Sequence, residues 1–104
     1  MHSIIYSKQA EIDLTDALEY IAKTSTQNAL EYLLRYEKKI ELLGLNPYMG
    51  TECLNKLIKR ECRVLIHESH IIIYKIDEKN KNIFIIRIYH SSVNYVNKFN
   101  RESK

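Results

Sequence analysis

The sequence predicts an α+β domain: an N-terminal strand, a two-helix hairpin, then a three-stranded antiparallel meander (β-α-α-β-β-β), with residues 91–104 a short helix or a tail. Two patterns lead there. Between Lys8 and Gly44, apolar residues recur every three or four positions, the spacing of amphipathic helices. Between Glu61 and His90, three runs dense in β-branched and aromatic residues alternate with short polar breaks, the signature of hairpin-linked strands. At 104 residues the whole chain, 1–104, fits one domain of common size.

The elements follow in order. Ser3 to Ser7 is short and β-rich, and Ser7 can cap a helix starting at Lys8 because its hydroxyl accepts an orphan N–H. Ala10, Leu14, Ala17, Leu18 and Ile21 form that helix's apolar stripe, with Glu11, Asp13, Asp16 and Glu19 expected outward. Thr24 and Gln27 have the form of a capping box for the second helix. Its stripe is read as Leu30, Leu33, Leu34, Ile40 and Leu43, flanked by Tyr32 and Tyr36 as a partly buried shoulder. Gly44 and Pro47 are expected to stop it. The run Ile71–Ile76 is apolar at almost every position, as in a central strand covered on both faces. Val93, Val96 and Phe99 recur at helical spacing in the last segment, where Lys98, Arg101 and Lys104 add positive charge.

Composition narrows the function. Hydrophobic residues make up 45% and charged residues 28% of the chain, an ordinary globular balance. The formal charge of +3 is mild and fits an acidic partner or a phosphate backbone without requiring either. No apolar run reaches the roughly 20 residues that span a bilayer, and the N-terminus lacks the build of a signal peptide. A cytoplasmic location without a membrane partner is the expectation. Cys62, just before a strand, reads as a small core residue. Cys53, Cys62, His67, His70 and His90 match no familiar zinc spacing, so neither a metal nor a cofactor is expected.

Candidate functional residues are cationic and aromatic. Lys56, Lys59, Arg60 and Arg63 crowd into eight positions, offset by Glu61, and suit phosphate contact. Arg87 stands alone in an apolar strand, so it must reach an open sheet face or find a carboxylate such as Glu61. Tyr89 and Tyr95 are candidate anchors, since tyrosine and arginine often carry interface energy. His67 and His70 beside the hairpin turn read as solvated.

Read with its residues, the order β-α-α-βββ resembles the RelE/ParE superfamily of bacterial toxins, from Ile5 to about His90, and most closely its ParE-like branch. Tyr6-Ser7, Ala10, Asp13-Leu14 and Tyr20-Ile21 resemble that branch's first strand and helix. Asn46-Pro47-x-Met49-Gly50 resembles the turn after its helix hairpin, and Arg63, Tyr74 and Arg87-Ile88-x-His90 resemble its strands. The resemblance implies the toxin of a type II toxin–antitoxin pair, associated with growth inhibition and plasmid stabilisation and neutralised by a cognate antitoxin. ParE-like members bind and poison DNA gyrase; RelE-like members cleave mRNA on the ribosome; a degenerate fold would only bind partners.

Metal-free RNA cleavage needs a base, an acid and cations around the phosphate. His90, Arg87 and Arg63 are the candidates for that catalytic set. Three departures weaken it. Ser91 follows His90 where nucleases of the superfamily have tyrosine, and His70-Ile71-Ile72-Ile73-Tyr74 lacks their third-strand arginine. Arg87 and His90, three apart, also point to opposite faces of a regular strand. Gyrase inhibition is therefore favoured, with Lys56, Lys59, Arg60, Arg63, Arg87, Tyr89 and Tyr95 as the target-binding set. On this reading the helices shield one sheet face, the other stays bare, and Arg87→Ala harms toxicity more than folding.

Overall fold

The computed structural model describes residues 1–53 and 61–102. The elements are β1 (Ser3–Tyr6), α1 (Lys8–Ala22), α2 (Thr26–Leu45), a 3-10 turn (Pro47–Met49), β2 (Thr51–Glu52), β3 (Arg63–His67), β4 (His70–Asp77), β5 (Asn82–His90) and α3 (Tyr95–Glu102). The sheet order is β1-β5-β4-β3-β2. The strands β2 to β5 form an antiparallel meander, and β1 returns to pair with β5 in parallel. The predicted α+β class and element order hold, with β2 as an additional two-residue strand.

Helix boundaries follow capping chemistry. The Ser7 hydroxyl accepts the Ala10 N–H at the start of α1, as the sequence predicts. For α2 the cap is Ser25, not Thr24: its hydroxyl accepts from Asn28, while Gln27 turns outward to Glu31. The second helix also runs past Gly44 to Leu45. There the chain's beginning crosses it, with the His2 N–H donating to the Gly44 carbonyl at 2.9 Å. A Cβ at Gly44 would stand 3.2 Å from the His2 oxygen, so the helix is tightest where its glycine sits.

The core has two sides. Toward the hairpin, Leu65, Ile72, Tyr74, Ile83, Ile85 and Ile88 pack against Ala10, Tyr32, Tyr36, Ile40 and Leu43. The stripe of α2 is therefore Ala29, Tyr32, Tyr36, Ile40 and Leu43, spaced 3-4-4-3, whereas Leu30 and Leu34 are exposed. Tyrosine wins these positions because its long ring spans the gap to the sheet and its hydroxyl finds a partner there. Tyr36 meets the Tyr6 hydroxyl at 2.9 Å, and Tyr32 meets His70 Nδ1 at 2.7 Å. Burial pushes the Tyr32 hydroxyl up to about 12, so it stays protonated.

The second sheet face is not bare. Ile71, Ile73 and Tyr89 are covered by Val96 and Phe99 of α3 and by Cys62. Cys62 is buried as expected, but it is bonded to Cys53 in a disulfide rather than free. His67 and His70 are also buried rather than solvated, edge-on to Tyr32 at ring distances of 5.4 Å. The β3–β4 turn that carries them needs a left-handed residue, Glu68 at φ 54°, which Arg35 of α2 grips through two hydrogen bonds.

One irregularity positions the site. Tyr74 pairs with Ile85 but Ile73 pairs with Arg87, so Ile86 is an extra residue, a β-bulge. The bulge reverses the alternation of β5. Ile83 and Ile85 face the hairpin before it, and Ile88 faces the hairpin after it. Without it, Arg87 would point into the hairpin core.

Candidate functional site

The strand β1 covers β5 only as far as Ile85. Beyond that point α1 lies along the open edge. Ser7 Oγ donates to the Ile86 carbonyl at 2.7 Å, and Asp13 accepts the Ile88 N–H at 2.9 Å. The same carboxylate takes the Arg87 guanidinium in a two-point pair, Nε–Oδ2 2.8 Å and Nη2–Oδ1 3.2 Å. The side chains of Arg87 and Asp13 keep only 14% and 9% of their exposure. Arg87 thus pairs with a carboxylate, as a buried arginine must, but with Asp13 of the first helix rather than Glu61. Asp13, expected on the outward acidic face, is turned inward.

The Arg87 guanidinium also lies over the Tyr89 ring at 4.6 Å, and Lys98 Nζ approaches that ring at 5.9 Å. Together with Asp16, Tyr20, Val93 and His90 these residues line a cleft of about 220 Å³ between α1, the end of β5 and α3. His90 stands at its rim. Its Nδ1 accepts from the Ser92 N–H at 3.1 Å and lies 2.7 Å from the Ser92 hydroxyl. Accepting from an N–H fixes the neutral ring's proton on Nε2, so His90 offers a donor and not a second lone pair.

Arg63 belongs to a different place. It pairs with Tyr74 across β3 and β4, on the hairpin face, whereas Arg87 pairs with Ile73 on the opposite face. Its Nη2 donates to the Gly50 and Tyr48 carbonyls at 2.6 and 3.1 Å, and its guanidinium lies 5.1 Å from the Tyr48 ring centre. Glu52 adds a carboxylate at 3.8 Å. Tyr74 completes this knot by donating to the Pro47 carbonyl and accepting the Gly50 N–H. Arg63 therefore braces the turn after the hairpin.

The predicted residues do not form one site. Arg87, Tyr89 and His90 meet at the edge cleft, Arg63 sits with the Pro47–Gly50 turn, and Tyr95 is half-buried at the start of α3. Tyr89 is buried and 3% exposed, so it serves as the cleft's floor rather than as a protruding anchor. Lys56, Lys59 and Arg60 lie outside the described residues. The sequence reading missed Asp13, Asp16 and Tyr20 as cleft residues. For Asp13 a signal existed, since it stands one turn from Ala10 and Ala17 at the shoulder of the apolar stripe. Among the described residues, no group of three His, Cys, Asp or Glu side chains is placed to hold a metal. No helix is long and apolar enough to cross a membrane.

Apolar surface gathers elsewhere. Leu42, Leu45, Tyr48 and Met49 line an open depression where α2 runs into the 3-10 turn. Each is at least 39% exposed.

Comparison with known proteins places this geometry. Solved structures share the fold at low identity. The chromosomal ParDE toxin–antitoxin system from P. aeruginosa aligns at 19% identity and TM-score 0.68, over 86% of this chain and 96% of that one. The RelBE2 toxin–antitoxin complex from Mycobacterium tuberculosis aligns at 17% and 0.58, over 86% and 90%. The isolated E. coli RelE toxin aligns at 9% and 0.56, over 99% and 98%. No curated protein sequence matches. The model of the family described as the ParE toxin of type II toxin–antitoxin system, parDE, matches residues 4–95. That span takes in both hairpin helices, β2 to β5 and all of β1 but Ser3, and the chain accordingly belongs to the ParE toxin family of type II toxin–antitoxin systems.

Proposed function

We propose that this toxin arrests growth by binding DNA gyrase, without cutting nucleic acid, and that a cognate antitoxin neutralises it. The observation that carries this reading is the separation of its arginines. Cleavage of RNA without a metal needs cations converging on one phosphate beside an acid and a base. Here Arg63 and Arg87 project from opposite faces of the sheet, and each has internal partners. His90, with its proton held on Nε2, suits a donor's part but not a base's.

Binding asks for less. An exposed apolar patch around Leu42, Leu45, Tyr48 and Met49 offers area, and Arg63 stacked on Tyr48 borders it. Lys56, Lys59 and Arg60, which lie outside the described residues, and Tyr95 on α3 are further candidates for target contact. The antitoxin on this reading supplies apolar anchors and acidic residues from a segment that orders on binding.

A ribonuclease reading keeps one point in its favour, because His90, Arg87, Lys98 and Tyr20 share the edge cleft. Induction of the protein alone in bacteria separates the two. Gyrase poisoning produces double-strand breaks, an SOS response and filamentation with intact transcripts. Cut transcripts and early translation arrest without DNA breaks would replace this reading with the nuclease one.

A further inference from the structure

The strand β2 is held to β3 by only two residue pairs, Thr51↔Val64 and Glu52↔Arg63. A two-residue strand has little stability of its own. The third rung is covalent: Cys53 and Cys62 are bonded through sulfur with Cα atoms 5.4 Å apart, and the Cys53 N–H donates to the Cys62 carbonyl at 3.0 Å. The bridge closes a ring whose sequence holds Lys56, Lys59 and Arg60, the chain's densest run of cations.

Its two sulfurs are placed unequally. Cys62 is 5% exposed and packs with Ile71, Ile73, Tyr89, Val96 and Phe99, under α3. Cys53 is half-buried at the rim of that cluster. Neither cysteine belongs to the larger core between the hairpin and the sheet. Cys53 is thus the less enclosed partner, and what the bond restrains is the β2 edge, not the main core.

We infer that the Cys53–Cys62 bridge is a redox clip, opened by a dithiol reductant, which sets whether the β2 edge is fastened to the sheet. The reductant's thiolate attacks Sγ of Cys53, the less buried partner, the sulfur–sulfur bond breaks, and Cys62 leaves as a thiolate that takes up a proton. The reductant's second thiol then attacks the mixed disulfide, forms its own disulfide and releases Cys53, which ends as a thiol. Two electrons and two protons pass to the toxin. In a reducing compartment the clip stands open and closes when oxidant appears. The clip acts on this chain whichever macromolecule the toxin targets.

Hydrogen exchange on the purified full-length chain, oxidised and then treated with dithiothreitol, tests this. The expected result is two thiols released per chain and at least about tenfold faster exchange of the Cys53 amide, with Ile72 and Ile83 unchanged. Reoxidation restores the slow rate, and Cys53→Ser exchanges fast under both conditions. Three results overturn the proposal. One is a chain purified under oxidising conditions that shows two free thiols. Another is an unchanged Cys53 exchange rate after reduction. The third is accelerated exchange at Ile72 and Ile83, which makes the bridge a staple of the whole fold.

Discussion

Replacing Asp13 by alanine removes a hydrogen-bond acceptor from two groups at once. The Arg87 guanidinium loses its two hydrogen bonds to the carboxylate, and the Ile88 N–H loses the Asp13 oxygen that accepts it. Removing one member of a largely buried ion pair costs about 3–5 kcal/mol, and an orphaned backbone donor costs about 1–3 kcal/mol. The cleft admits some water to Arg87, whose side chain is 14% exposed, so the lower ends apply: about 4 kcal/mol in total. For a chain of this size that is a fall in Tm of about 18 °C. Arg87→Ala costs less, about 1–2 kcal/mol, because the Asp13 carboxylate keeps the Ile88 N–H as a donor. Asp13→Ala/Arg87→Ala should cost less than the two singles together, with a coupling of about 1–3 kcal/mol. Urea denaturation of the four proteins gives the cycle. A coupling near zero, or an Asp13→Ala cost below about 1 kcal/mol, would show a solvated pair and refute the reasoning. The sequence led us to expect that Arg87→Ala harms toxicity more than folding. The Asp13 pairing predicts a measurable folding cost, and growth arrest by the folded fraction removes Arg87 from the target surface.

Three further outcomes follow from particular contacts. A Cβ at Gly50 would stand 2.6 Å from both the Tyr74 hydroxyl and the Val64 carbonyl. Gly50→Ala should therefore destabilise by about 1–3 kcal/mol, read from the urea midpoint. Tyr32→Phe removes the partner of buried His70 Nδ1 and should cost about 1–2 kcal/mol, whereas a neutral result means that another donor or acceptor serves His70. Acid should weaken the fold before the carboxylates titrate. Burial holds His67 and His70 below their ordinary value of 6.5, with the charge on His90 further lowering His70. The unfolded chain then binds protons first, so stability is lost as pH falls from 6.5 through the folded values. Glu68, held below 4.5 chiefly by its hydrogen bonds to Arg35, adds a second loss as pH falls through its own lowered value. A urea midpoint that rises between pH 7 and pH 5.5 would contradict this sign.

The element order was legible because period and composition agree with the structure over long stretches. Lys8 to Ala22 reads as a helix, Ile71 to Ile76 as a covered strand, and Ser7 as a cap. What failed lay where two residue types compete for one role. In α2 leucine and tyrosine alternate around the helix, and hydropathy alone sends Leu30 and Leu34 inward; the sheet's distance and its histidine partners select Tyr32 and Tyr36 instead. The histidines of the β3–β4 turn read as polar, yet with a tyrosine hydroxyl on one and aromatic edges around both they are buried. The candidate site suffered from one residue. A bulge at Ile86 carries no mark in an unbroken apolar run, and every side chain after it changes face. The disulfide, too, depends on β2, a two-residue strand that brings Cys53 beside Cys62 and shows no alternation long enough to read.

The same facts bear on how this toxin meets a partner. A cation that already has a carboxylate and an aromatic ring gains little by exchanging them for a partner's, since the desolvation has been met inside the fold. Arg87 is in that position with Asp13 and Tyr89, and Arg63 is nearly so with two carbonyls, Glu52 and Tyr48. Such arginines shape a surface more than they bind through it. The surface they shape is apolar: Arg63 fixes the turn from Pro47 to Gly50, and that turn, with the end of α2, sets out Leu42, Leu45, Tyr48 and Met49. Arg63→Ala should therefore weaken toxicity by releasing the turn, and Leu45→Asp should weaken it with little change in stability, because Leu45 is 57% exposed. Growth arrest in bacteria beside the urea midpoint separates the two effects. Full toxicity from a stable Leu45→Asp variant would move the contact away from this patch and toward the edge cleft.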